Sequence, residues 1–204
     1  QRDAAGSNEW RGDRGMKKEF VGMLRGYVYR PGIENLIRWL EETDFFEAPA
    51  SAKYHGVYPG GLARHSMNVF DRMCKRHMEI PEGTTSETVA IVSLLHDVCK
   101  TNFYKPKETK QEHGQQAIRY EYDNKLPIGH GEKSVILIQK HMQLTDEEII
   151  AISWHMGAFD ARVKGGSREL SQVWERYPLA FLLHIADMEA TWLDERRGTD
   201  VPEE

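Results

Sequence analysis

The sequence predicts an all-α fold, and three observations carry that expectation. Apolar residues recur at helical spacing in one segment after another. The stretch from Glu87 to Lys100 is apolar nearly all round, as a central buried helix is. Strand-like alternation is confined to one irregular stretch between 101 and 129. The chain has 204 residues, 40% of them hydrophobic, which suits one domain, or one domain with extensions.

Residues 1–15 are polar, Gly-rich and aperiodic, so a disordered tail is expected there. The "RGD" at Arg11–Asp13 is too frequent by chance to carry an adhesive role. Residues 16–50 are expected to form an N-terminal helical extension that packs on the core. Within it, "ENLIRWLEE" (Glu34 to Glu42) has helical spacing after the Pro31-Gly32 break. A main domain is expected over 51–197, with a disordered end over 198–204. It opens with a loop anchored by aromatics, "FFEAPASAKYHGVYPGG". Gly61 to Met78 reads as a helix, with Leu62, His65, Val69 and Met73 on one stripe. "PEGTTSE" breaks the chain and offers Thr84 or Thr85 as a helix cap. The apolar helix from Glu87 to Lys100 follows.

Pro106, Gly114, Pro127 and Gly129 punctuate residues 101–129, where "AIRYEYDN" allows a short strand or hairpin. A surface excursion is expected there, in a position to lie over a site. His130 to Met142 reads as a helix. Thr145 to Met156 reads as another, with a threonine cap and acids in its first turn. "GAFDARVKGGSREL" is expected to be a loop. Pro178 to Glu195 is expected to be one final helix, with Leu183, Asp187 and Ala190 near one face.

The formal net charge of −5 argues against binding nucleic acid by overall charge. No apolar run approaches the ~18–20 residues that span a bilayer, so no membrane partner is expected. No secretory leader is visible, and the two cysteines, Cys74 and Cys99, read as reduced thiols. A cytoplasmic location and a monomer or homodimer are expected.

The chemistry lies in nine histidines and their setting. His65, the pair His96-Asp97, His130, His155 and Asp187 fall on apolar stripes of separate helices. A lone buried histidine is usually a satisfied core residue. Six such groups would need six sets of partners. One shared metal centre satisfies them together, and nitrogen with carboxylate oxygen suits Mn, Fe, Co, Ni or Zn better than Mg or Ca.

"GGLARHS", "LLHDVCK", "LPIGHGEKS", "ISWHMG" and "LLHIAD" together resemble the HD-domain superfamily of metal-dependent phosphohydrolases, from about Tyr54 to about Glu195. The resemblance is nearest to modules with extra histidines, as in HD-type 3′–5′ exoribonucleases and HD-GYP phosphodiesterases. It implies an HD-type helical bundle and two divalent transition metals per chain. His65, His96, Asp97 and Asp187 would hold the first metal. Asp97 would bridge to a second, held by His130 and His155. Asp97 and Lys100 would be the catalytic residues, with Lys100 on a substrate phosphate. His184, three residues before Asp187, would orient a ligand from behind. Lys133, Arg64 and Trp154 are further candidates for substrate contact.

Three departures bear on the site and its substrate. Relatives often carry two adjacent histidines where this chain has Trp154-His155, which thins the second site. The "GYP" signature is absent after the HD segment, which argues against cyclic di-GMP. The roughly 50 residues ahead of the HD region are too few for the OB-type module of the exoribonucleases. Long nucleic acid is therefore disfavoured against a small phosphorylated or nucleotide substrate. Two metals can activate water and neutralise an attacked phosphate. The expected activity is hydrolysis of a nucleotide, cyclic nucleotide or short oligonucleotide phosphoester. Two other classes fit the same ligands: a di-iron oxygenase acting on a small polyol or phosphonate, and a nucleotide-binding regulator without turnover.

Overall fold

The computed structural model describes residues 11–107, 111–112, 115–116 and 119–195. Two helices lead: α1 (Arg11–Tyr27) and α2 (Ile33–Glu42). The helix of α1 begins within the stretch expected to be a tail, and the rest of that expectation, residues 1–10 with 198–204, lies outside the described residues. Phe20, Leu24, Leu36, Leu40, Phe45 and Phe46 are buried in the same hydrophobic core as the helices that follow. Arg30, between α1 and α2, ties this region down through Glu148, which is buried, and through Glu87.

The central helices are α3 (Gly61–Lys75) and α4 (Ser86–Leu95), packed on each other. Thr85 caps α4 by accepting from the Thr88 amide at 3.1 Å. Every residue from Thr88 to Leu95 is buried, as its uniform apolarity requires. The expected helix through Lys100 is cut short at Leu95, and Val98–Lys100 forms a separate 3-10 turn. The cause is local. His96 Nδ1 lies 2.8 Å from the Ser93 carbonyl, the acceptor that the next helical amide would otherwise use.

The excursion is a hairpin. β1 (Tyr104–Lys107) pairs antiparallel with β4 (Arg119–Tyr122), and β2 (Gln111–Glu112) with β3 (Gln115–Gln116) toward its tip. Four more helices complete the bundle around a ninth, making the class all-α. They are α5 (His130–Gln139), α6 (Asp146–Trp154), α7 (Ala161–Lys164) and α8 (Glu169–Arg176), with α9 (Pro178–Glu189) packed on α3, α6 and α8. Thr145 and Glu148 form a reciprocal capping box on α6. The expected loop over 157–170 carries a 3-10 turn at Gly157–Phe159 and the short α7, and α8 starts at its end. The single helix expected from Pro178 to Glu195 changes at Ala190 into a π-helical turn, Ala190–Glu195.

Candidate metal centre

His96 and His155 have the same local design. Each follows directly on its helix, α4 or α6, and folds back onto a carbonyl three residues earlier. His155 Nδ1 lies 2.7 Å from the Ile152 carbonyl, matching the 2.8 Å contact of His96 with Ser93. A carbonyl only accepts, so each Nδ1 carries a proton and donates it there, which turns each Nε2 toward the centre. Both Nε2 atoms are buried and form no hydrogen bond among the described residues. They face Asp97 instead, His96 Nε2 at 3.5 Å from Oδ2 and His155 Nε2 at 3.6 Å from Oδ1.

Asp97 is the hub because the chain turns there, between α4 and the 3-10 segment. Around Oδ2 stand His96, His65 Nε2 at 3.7 Å and Lys100 Nζ at 2.6 Å. Around Oδ1 stand His155 and His130 Nε2, at 2.7 Å. His130 opens α5, and Gly131 lets that end approach α6. A Cβ on Gly131 would lie 2.4 Å from the Ile152 carbonyl oxygen. The Cys99 amide also donates to Ser134 Oγ at 3.1 Å, tying the 3-10 turn to α5.

His65 comes from the middle of α3, where its own helix carbonyls are already used. Its Nδ1 is met by Glu195 Oε1 at 2.9 Å, from the π-helical turn. Its Nε2 lies 3.1 Å from Asp187 Oδ1, out of line for a hydrogen bond. Asp187 can form one ligand group with His96 and His155, and Asp97 another with His65 and His96. The structure thus brings all six expected ligands, His65, His96, Asp97, His130, His155 and Asp187, into one linked cluster.

Charge is divided sharply across it. Burial disfavours the His65 cation, but Glu195 and Asp187 outweigh burial and raise His65 to about 10. Burial lowers His96 to about 4, leaving it neutral. His130 is raised to about 10 by Cys99 and Asp97 against its burial. Burial would raise the Asp97 carboxyl, but Lys100 and the histidines hold it well below the usual range, and Asp187 is lowered likewise by His65. Burial opposes the Lys100 cation, and Asp97 raises it nonetheless.

Other expected residues are less central. Lys100 sits on Asp97 and is buried, so no open phosphate position is needed to explain its place. Lys133 is buried with Nζ 4.8 Å over the Phe103 ring, at the base of the hairpin, and burial lowers its pKa. Arg64 is half-buried, about 100° round α3 from His65. Trp154 is buried, and the Arg162 guanidinium covers its ring at 3.7 Å. His184 Nδ1 donates to the His155 backbone carbonyl at 2.7 Å, so it braces the backbone rather than the ring. Cys99 has more than a packing contact: its sulfur is 3.4 Å from both His130 ring nitrogens. Sequence reasoning missed two neighbours of His65. His55, from the loop before α3, has its ring centroid 4.9 Å away, and Glu195 is the other. His55 stood in a polar loop with no period to mark it, and Glu195 depends on the π-helical turn.

The donor set fits a metal. Imidazole nitrogens turned inward beside carboxylates are, once their protons are displaced, the ligands that divalent transition metals take. Fold and cluster together define an all-helical protein, apart from one hairpin, with a buried histidine–carboxylate centre able to hold metal. Among the described residues no helix is long and apolar enough to cross a membrane. The chain is similar to the 3′-5′ exoribonuclease YhaM of Bacillus subtilis (strain 168), 23% identical over 180 residues. The match covers 84% of this chain and 53% of that protein, so the chain spans about half the relative's length. No protein-family profile matches the chain, and no solved structure matches it.

Proposed function

We propose that this protein is a metal-dependent phosphohydrolase of the HD type, acting on a nucleotide, a cyclic nucleotide or an oligonucleotide. One observation carries the reading. The two oxygens of Asp97 face different histidines, His65 and His96 on one side and His130 and His155 on the other. That arrangement supports Asp97 as a bridging ligand, with Asp187 completing the first site. Bound divalent metal there supplies Lewis acidity and an activated water for attack on phosphorus.

The chain's own groups supply the rest. Lys100 adds a buried positive charge beside the reacting phosphate, where low dielectric strengthens its effect. The hairpin supports a substrate that carries a base. Its register places Tyr104, Pro106, Tyr120 and Tyr122 on one face and Lys105, Lys107, Arg119 and Glu121 on the other. The Tyr104 and Tyr122 rings meet tilted at 45°, 5.7 Å between centroids, and Tyr122 is 61% exposed. Burial and the field of Asp97 raise the Tyr104 phenol to about 12 while Lys100 pulls against them. An exposed aromatic face suits a stacked base, and the basic residues lie on the hairpin's other face. The relative's name, an exoribonuclease, keeps RNA ends among the candidates.

The test is metal analysis of protein prepared without chelator, followed by assays on bis(p-nitrophenyl) phosphate and a short oligoribonucleotide. Close to two metal equivalents per chain and hydrolysis abolished by chelator are expected. Protein that neither holds nor rebinds a transition metal would overturn the reading. A mostly iron centre that consumes O₂ and leaves phosphoesters intact would move it to the oxygenase class.

A further inference from the structure

The three innermost histidines are oriented in two ways. His96 and His155 use carbonyls of their own helices, whereas His65 relies on Glu195, 130 residues away. That carboxylate is itself held. Asn68 Nδ2 donates to Glu195 Oε1 at 3.1 Å. One turn further along α3, Arg72 binds Asp194, its Nε donating at 2.8 Å. A turn beyond, Arg76 pairs with Glu189. Asn68, Arg72 and Arg76 stand at i, i+4 and i+8, a single row along α3 and its C-cap residue facing the end of α9 and its π-helical turn. The turn matters geometrically. Eight residues of α-helix would place Glu195 roughly 80° around from Asp187. A wider turn rotates less per residue and brings Glu195 back toward the Asp187 side, over His65. Such turns inside helices are uncommon and often functional.

We propose that Glu195 is a positioning residue of the metal centre. Its carboxylate holds the His65 Nδ1 proton and so presents Nε2 to the ion beside Asp97 and Asp187. The row on α3 and the π-helical turn serve to deliver it. The proposal rests on the metal-centre reading above. A carboxylate behind a ligating histidine fixes its tautomer and ring angle and strengthens it as a donor. The side chain is 2% exposed, so a carboxylate has little reason to stand there without that partner.

The test uses the full chain, stripped of metal and loaded with Co(II). Affinity is read by chelator competition. The exchangeable histidine N–H resonances, shifted by the paramagnetic ion, are read by NMR. Glu195→Ala should weaken the tighter Co(II) by about 10–100-fold and lose one protected N–H resonance, that of His65. The resonances of His96 and His155 should remain. Glu195→Gln keeps an oxygen that accepts from Nδ1, so it should keep the resonance and most of the affinity. It also carries the test if the alanine variant does not fold. Unchanged affinity and resonances in Glu195→Ala, or a glutamine variant as weak as alanine, would overturn the proposal. Wild-type protein that binds no Co(II) would sink the metal-centre reading, and this inference with it.

Discussion

The two sides of Asp97 differ in how they are built. The Oδ2 side is enclosed: His65 and His96 are almost fully buried, and Lys100 closes on the same oxygen. The Oδ1 side is half open. His155 is buried, but the His130 side chain is 32% exposed and leans on the Cys99 sulfur. Enclosure with fixed donors favours tight, slowly exchanging metal. An exposed donor beside a thiol favours a weaker ion and easier access for substrate. The comparison teaches that one carboxylate can face two unlike environments, enclosed on one side and half open on the other.

The hub itself gives the largest effect. Asp97→Ala should remove both metal equivalents and all hydrolysis, read by metal analysis and turnover. It also strands Lys100, and losing one partner of a buried pair costs about 3–5 kcal/mol, visible as a lower melting temperature of metal-free protein. If Asp97→Ala kept full metal content, the two sides would share no ligand. Next, the sides should separate. His130→Ala should leave close to one equivalent bound, while His96→Ala should take the tighter ion first. Equal losses in both would erase the contrast.

Lys100→Met should keep its metal, because it removes only a competitor for Asp97 Oδ2. Turnover should fall about 10²–10³-fold, as for loss of one preorganised electrostatic group. Unchanged kcat would take Lys100 out of the mechanism.

pH gives a further comparison. His65 and His130 stand near 10 in the metal-free fold, raised from about 6.5. Their stabilising contribution is complete below pH ~6.5 and is lost as pH climbs toward 10. Metal must displace those protons, so its affinity should rise with pH, about tenfold per unit for each proton released. His55 and His96, lowered to about 4, work oppositely: metal-free stability should fall as pH drops from ~6.5 toward 4. Chelator competition and melting curves at several pH values check both slopes. The smallest effect is expected at the hairpin. Tyr122→Ala should raise KM for base-bearing substrates about fivefold, near the lower bound for one stacked base, and leave bis(p-nitrophenyl) phosphate unchanged.

Much of this was legible from residue order. Uniform apolarity marked α4 as central, Thr145 and the pair Thr84-Thr85 marked helix starts, and histidines on apolar faces marked the centre. Less legible were the elements set by tertiary contact. Residues 157–170 looked like a loop because α7 is short and buries no residue completely, and α8 begins only at Glu169. The helix expected through Lys100 stops at Leu95 because a side chain takes a backbone acceptor, which spacing alone does not reveal.

Local chemistry therefore decides the helices, their caps, and the way His96 and His155 lock onto their own carbonyls, since each partner lies within a turn. Packing decides the rest. Which oxygen of Asp97 meets which histidine, and that Glu195 reaches His65 across 130 residues, follow only once α3, α5, α6 and α9 are docked. Groups so far apart in the chain have no shared period, and only the buried volume they fill together brings them within bonding distance.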